Sequence, residues 1–306
     1  MSLPRIGVFD SGVGGLTVLK ALAERLPARY FYFGDTARLP YGTKSPETVA
    51  RYAIGATHFL ESQNIDLLVI ACNTASALAL PCIREAAKVP VVGVVEPGAA
   101  MASEVSQTRR AIVIATEATV ASHAYRDALA RHGVAASEKA CPLFVPLVEE
   151  GWTEHAVTEQ VARIYLGEAI SQNGSEADVL VLACTHYPLI APLLRRIVPA
   201  QMKIVDSAES TARAVREMVK GADSIPSPNE GDKDRVATSF VSTGVLRFST
   251  GAPPLSGSVA DRVGCRSSNH RSFQFFVTDS VEKFKKLATG FLGRQVDRVE
   301  HVDLGG

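Results

Sequence analysis

Along the chain, short apolar runs alternate with longer segments of helical periodicity. The runs are Ile6–Phe9, Tyr30–Phe33, Leu67–Ala71, Val91–Val95, Ile112–Ala115, Val179–Ala183, Ile204–Val205 and Phe273–Val277. Their apolar positions are consecutive and not alternate, which suits parallel strands covered on both faces. Between them, Leu16, Leu19, Leu22 and Leu26 recur at helical spacing. Pro46–Gln63, Thr119–His132, Thr153–Ser171, Ser207–Lys220 and Ser280 to about Phe291 also read as helices. This alternation predicts an α/β architecture with right-handed crossovers. Only Ile225–Arg271 breaks the pattern. It is rich in Ser, Gly and Pro and reads as a long surface excursion, with "SFVSTGVLRFSTGAPP" as a candidate hairpin.

Two of the strand segments echo each other. Residues 65–74 read "IDLLVIACNT" and residues 177–186 read "ADVLVLACTH". Each runs from Asp through an apolar strand to a Cys followed by small polar residues, and Cys184 follows Cys72 by 112 positions, about the length of one domain. The echo predicts an internal duplication that puts a thiol at the carboxyl end of a strand in each half, where open α/β sheets bind ligands. A thiol entering a helix N-terminus is expected to have its pKa lowered by the dipole and free N–H groups. The same N–H groups can hold a carboxylate, so an anionic substrate is expected. The competing reading of either Cys alone is a small core hydrophobe, and Cys82, Cys141 and Cys265 are given that reading.

Length and composition narrow the classes. The 306 residues suffice for two domains, and 32 Lys and Arg balance 32 Asp and Glu, so the net charge expected of a nucleic-acid binder is missing. No apolar run approaches the roughly 20 residues of a membrane span. "MSLPRIGVFDSG" enters strand-like sequence at once, with no signal-peptide pattern. Five scattered cysteines fit a reducing cytoplasm better than a disulfide framework. Cys265 and His270 are too few to make a metal site, and none is expected.

The first strand runs into "DSGVGGLT" at residues 10–17. Gly12 and Gly14 fit the first two positions of a dinucleotide fingerprint, and Asp35 stands where a ribose-binding acid would. Thr17 replaces the third Gly, and Asp10 at the strand tip would repel a pyrophosphate. An NAD-dependent oxidoreductase is therefore a weak reading. Asp10 would serve better beside a thiol or an ammonium group, or it simply caps the helix.

Five motifs occur in order: "GVFDSGVGGLTVLK", "YFGDTARLPYGTKS", "ACNTAS", "VPLVEEG" and "LACTHYPL". Together they closely resemble the glutamate racemases of the aspartate/glutamate racemase superfamily, over about residues 6–220 and again over Phe273–Leu304. The resemblance implies two pseudo-symmetric three-layer α/β domains with mainly parallel sheets and an active site in the cleft between them. It assigns residues 1–97 and 208–306 to the first domain and 98–207 to the second. It implies interconversion of L- and D-glutamate without a cofactor, in the cytoplasm, supplying D-glutamate for peptidoglycan. Cys72 and Cys184 would be the catalytic acid/bases, with Asp10 and His186 assisting them respectively and Glu149 as a further acidic residue. Asp10, Ser11, Tyr41, Gly42, Asn73, Thr74, Thr116, Thr119, Thr185 and His186 would bind substrate. Members are often homodimers, and some bind DNA gyrase. Neither membrane nor direct nucleic-acid binding is implied. The departure is the excursion at 225–271, where the family's connection is much shorter. The long N-terminal extension of members regulated by a cell-wall precursor is also missing. Aspartate racemase is the sister reading within the superfamily. A binding protein that keeps the fold for a partner such as gyrase is the non-enzymatic alternative.

Overall fold

The computed structural model describes residues 3–173, 176–223 and 272–305. The 225–271 excursion and its candidate hairpin lie outside the described residues. Ten strands are present among those described. They are β1 (Arg5–Asp10), β2 (Arg29–Gly34), β3 (Leu67–Ile70), β4 (Val91–Gly93), β5 (Arg110–Ala115), β6 (Ala135–Ala140), β7 (Val179–Ala183), β8 (Lys203–Asp206), β9 (Ser272–Val277) and β10 (Glu300–His301). They form two sheets in the orders β10-β9-β2-β1-β3-β4 and β6-β5-β7-β8. Every pairing is parallel.

The two orders contain the same motif. β2-β1-β3-β4 and β6-β5-β7-β8 each place the first strand of the set between its second and third. The chain therefore reverses its direction of travel across the sheet at β1/β3 and at β5/β7, and a crevice opens at the carboxyl ends of each pair. Cys72 lies just beyond β3 and Cys184 directly follows β7. The echo seen in the sequence thus occupies equivalent places in two repeats.

The consecutive apolar runs are explained by cover on both faces. Ile6 and Val8 of β1, with Leu67 and Val69 of β3, face one core, while Phe9, Leu68 and Ile70 face another. In the second sheet Ile112, Ile114, Leu180 and Leu182 join the first of these cores, and Val113, Val179 and Val181 face a third. One apolar core therefore runs through both sheets. Burial at about 25 cal/mol per Å² of apolar surface makes it the main adhesive between the halves.

Several elements differ from the sequence expectation. The strand at Val91 stops at Gly93, and Val95–Val105 is a helix. The helix expected over Thr119–His132 is two, Glu117–Ala121 and Ala124–Arg131, separated by His123 in the left-handed region (φ 54°). The helix expected from Thr153 begins at Ala156. β6, "AASEKA", was not expected at all. It is a partly exposed edge strand, and its polar residues hide the period.

The Gly-rich turn after β1 is set by close approach. A Cβ on Gly14 would overlap Thr185 Oγ1 and His186 Nδ1, and one on Gly15 would overlap Asp10 Cβ. Thr17 Oγ1 donates across the same junction to the Thr185 carbonyl (3.1 Å). Gly14→Ala is expected to cost about 1–3 kcal/mol by overpacking this junction. Gly167→Ala, on an exposed helix face with open space around the new Cβ, should instead gain about 0.5–1 kcal/mol. Urea denaturation of both variants tests the pair. Equal small effects would mean that the junction has slack.

Candidate active site

Between the carboxyl edges of the two sheets lies a cavity of about 380 Å³. Its wall includes Ser11, Tyr41, Gly42, Cys72, Asn73, Thr74, Thr116, Glu149, Cys184, Thr185 and His186. These are most of the residues proposed from the sequence, drawn from segments up to 175 positions apart. Asp10 and Thr119 are not in the wall. Asp10 is 1% exposed and lies behind Cys72 and His186, within reach of their charge. Thr119 is fully buried behind Thr74 and Thr116.

Cys72 is the N-cap of helix Asn73–Ala86, and its Sγ accepts from Ala75 N (3.4 Å). Its thiol also meets Ser11 Oγ at 3.5 Å. The geometry expected from the sequence is therefore present, but its effect on the thiol is the reverse of the expectation. Burial, and then the charge of Asp10, outweigh the Ser11 and Ala75 donors and push the Cys72 pKa up to about 12. Asp10 does not cap the following helix with its side chain. Its Oδ2 accepts from Gly12 N (2.9 Å) and closes the turn. Burial raises its pKa, against the charge of His186 and the N–H groups of Gly15 and Gly12.

Cys184 has different neighbours. It is followed by a 3₁₀ turn, Tyr187–Ile190, and not by a long helix. Burial opposes charge on His186, but hydrogen bonds with Cys184 and Glu149, together with their charges, raise the imidazole pKa to about 10. His186 Nε2 lies 3.2 Å from Glu149 Oε1, and that contact is the main reason the Glu149 carboxyl is held below its usual range. The rings of Phe291 and His186 pack at right angles, with centroids 5.3 Å apart. The two thiols thus open on one cavity with unlike partners.

Hydroxyls and an amide complete the wall. Thr74, Thr116 and Thr119 form a triangle of Oγ1 contacts at 2.9–3.2 Å that joins the first repeat to the second. Asn73 accepts from Tyr125 OH (2.5 Å) and donates to Ser207 Oγ (3.1 Å). Tyr41 OH donates to the buried Asp35 carboxylate (2.6 Å), so the tyrosine offers the cavity its ring and backbone. Tyr125, Ser207 and the wall residue Lys283 were missed from the sequence. No motif surrounds them, and they reach the site only through the tertiary fold.

The dinucleotide reading fails on this geometry. The turn at Gly14 is pressed against Thr185 and His186, which leaves no room for a pyrophosphate. Asp35 is saturated by Tyr41, Thr278 (2.8 Å) and Arg38 (3.4 Å).

Residues 6–215 match the family model described as Asp/Glu/Hydantoin racemase. The chain belongs to that family. It is an isomerase of the racemase class, and its fold is the one shared by solved members. A curated glutamate racemase from Koribacter versatilis is 56% identical over 304 residues, covering 99% of this chain and 98% of the relative. A crystal structure of glutamate racemase from Francisella tularensis in complex with D-glutamate has a TM-score of 0.78 at 30% identity, covering 99% of both chains. One from Thermus thermophilus in complex with β-chloro-D-alanine has a TM-score of 0.75 at 38% identity, covering 98% of this chain and 97% of that one.

The raised pKa of His186 has a pH signature. Its folded value, about 10, lies above the ordinary 6.5. The stabilisation it brings is therefore complete below about pH 6.5 and is lost progressively as pH rises towards about 10. His186→Asn removes that contribution. The gap in urea midpoint between wild type and variant should narrow from pH 7 to pH 10. A gap that stays constant would mean that the buried imidazole is neutral throughout.

Proposed function

We propose that this racemase interconverts L- and D-glutamate by two-base proton transfer, with Cys72 and Cys184 as the acid/bases on opposite faces of the α-carbon. The observation that carries this reading is the placement of the two cysteines. They occupy equivalent positions in two topological repeats and open on one small cavity. The resemblance of whole motifs and the names of the relatives favour glutamate over aspartate as substrate.

In this scheme a thiolate removes the α-proton from one face, and the electron pair stays on the α-carbon. The opposite thiol then donates its proton to the other face. Configuration is inverted, and the two sulfurs have exchanged protonation states. The resting proton belongs on Cys72, where burial and Asp10 oppose ionisation. His186, whose pKa is raised to about 10, supplies the cation that a thiolate formed at Cys184 during turnover needs. A thiol with so high a pKa is a strong base once ionised, which the weakly acidic α-proton requires. The hydroxyls of Thr74 and Thr116 and the amide of Asn73 are fixed before substrate arrives, and they stabilise the developing carbanionic charge. Asp10 assists from behind Cys72, and Glu149 keeps the proton on His186. This chemistry calls on no cofactor.

The domain division that goes with this reading is 1–97 with 208–306, and 98–207. The biological setting is the cytoplasm and supply of D-glutamate to peptidoglycan. A homodimer is also proposed. Leu143, Trp152, Val157 and Ile164 are large apolar side chains at least 40% exposed within one stretch of the second repeat, and a second copy could cover them.

Circular dichroism of D-glutamate and D-aspartate solutions, with purified protein and nothing added, tests the assignment. D-Glutamate should lose its signal and D-aspartate should keep it. Cys72→Ser and Cys184→Ser should each lower racemisation by about three orders of magnitude or more. Each variant should still exchange the α-proton of one enantiomer with D₂O, seen by NMR. Full racemisation by the Cys184→Ser protein would falsify the two-base scheme.

A further inference from the structure

Asn73 is the first residue of helix Asn73–Ala86, next in the chain to Cys72, and it forms part of the cavity wall. Two side chains outside the wall hold its amide. Tyr125 OH donates to Oδ1 (2.5 Å), and Nδ2 donates to Ser207 Oγ (3.1 Å). All three residues stand at helix starts. Tyr125 is the second residue of Ala124–Arg131 in the second repeat, and Ser207 opens Ser207–Asp223.

An asparagine amide has a donor on one side and an acceptor on the other. Two hydroxyls could hold it either way round, because each can give or accept a proton. Tyr125 removes that ambiguity. A phenol is far more acidic than an aliphatic hydroxyl, so it is the better donor and the poorer acceptor. Burial, and then the charges of Cys184 and Asp206, push its pKa up, so it keeps the proton it has to give. Tyr125 is fully buried, and Gly98 backs it closely: an added Cβ there would lie 3.2 Å from Cε1 and 3.4 Å from OH. Ser207 is held too, because Asp206 Oδ1 accepts from Ala208 N and Glu209 N (2.9 Å each) and fixes the start of that helix. With the phenol proton on Oδ1, the amide nitrogen is left to Ser207. One N–H of the amide then has no partner among the described residues.

We propose that Tyr125 is a positioning residue, which locks the Asn73 amide so that the cavity wall presents an N–H and not a carbonyl oxygen to substrate. The inference rests on the reading of Asn73 as a donor to the developing carbanionic charge. A reversed amide would set a carbonyl oxygen against that charge and would oppose the reaction. Asn73 belongs to the first repeat and Tyr125 to the second, so the productive orientation is held only while the two are docked.

The test begins with Tyr125→Phe, which keeps the ring and removes only the hydroxyl. For D-glutamate it should lower kcat about tenfold and change KM by less than about threefold, because the interaction acts mainly in the transition state. Ser207→Ala should lower kcat less, by about threefold, since the phenol still sets the orientation. In an Asn73→Ala background, adding Tyr125→Phe should change the rate of α-proton exchange in D₂O by less than about twofold, because a residue acting through the amide has nothing left to position. Wild-type kcat in Tyr125→Phe, the same loss in both backgrounds, or a larger loss in Ser207→Ala than in Tyr125→Phe overturns the proposal.

Carbon-13 NMR of asparagine-labelled protein without substrate gives an arm independent of turnover. The Asn73 Cγ signal, assigned by its loss in Asn73→Ala, reports what the carbonyl oxygen accepts. Tyr125→Phe should move it upfield, and Ser207→Ala should leave it in place. A signal that Tyr125→Phe leaves in place, or that Ser207→Ala moves, overturns the proposal. The second of these outcomes decides even if Tyr125→Phe does not fold. A signal that behaves as expected in a protein that racemises no glutamate would defeat the proposed reaction and leave the positioning role standing.

Discussion

Gly14 meets Thr185 and His186 so closely that one added carbon has no room, and Thr17 bonds across the same contact to the Thr185 carbonyl. This junction joins the turn after β1 to the segment after β7, and so fixes the first repeat against the second. The cavity exists because the two carboxyl edges are held at this spacing. A looser junction would let water reach both thiols and would separate Asp10 from His186, whose charges now act on each other. The apolar core that runs through both sheets supplies most of the adhesion, but apolar burial is non-directional. Position at the level the site needs comes from the glycine contact and the hydrogen bonds around it.

Duplication explains why there are two cysteines, yet the halves have diverged in how each sulfur is treated. The first repeat follows its cysteine with a full helix, and the second follows its own with a 3₁₀ turn. The first backs its thiol with a buried carboxylate, the second with an imidazole that is itself paired to Glu149. A symmetric site would leave both sulfurs ionised to the same degree at a given pH. The reaction proposed here requires one proton shared between two sulfurs, and the burial of Cys72 beside Asp10 opposes its ionisation. In that scheme the asymmetry serves the chemistry.

Much of this was legible in the sequence. The consecutive apolar runs of β1, β3, β5 and β7 declared strands buried on both faces, and the Asp-to-Cys echo declared the repeat. What failed has a separate physical cause in each case. β6 is a polar edge strand paired on one side only, so hydrophobic periodicity is silent there. The break at His123 depends on a left-handed backbone that a helical pattern does not reveal. The Cys72 thiol was misjudged because the helix N-terminus is visible in sequence, whereas the depth of burial and the approach of Asp10 are not. Tyr125, Ser207 and Lys283 carried no signal, since each reaches the site through tertiary packing and has an ordinary local context.

In the proposed reaction the hydroxyl triangle lets the two repeats act as one catalyst. Thr74 belongs to the first, Thr116 and Thr119 to the second, and each hydroxyl has one proton to give. In the closed triangle either hydroxyl of each pair can be the donor. A carboxylate entering the cavity can turn the protons of Thr74 and Thr116 towards itself, while Thr119, buried behind them, keeps an oxygen in contact with both. The donors are therefore pre-positioned without being left unpaired when no substrate is bound, which avoids the penalty of buried unsatisfied polar groups. Because the triangle spans the cleft, its geometry holds only when the repeats are docked. Charge stabilisation and exclusion of water are then properties of the same closed arrangement, and a racemase that must lower the acidity barrier of a carbon-bound proton gains both together.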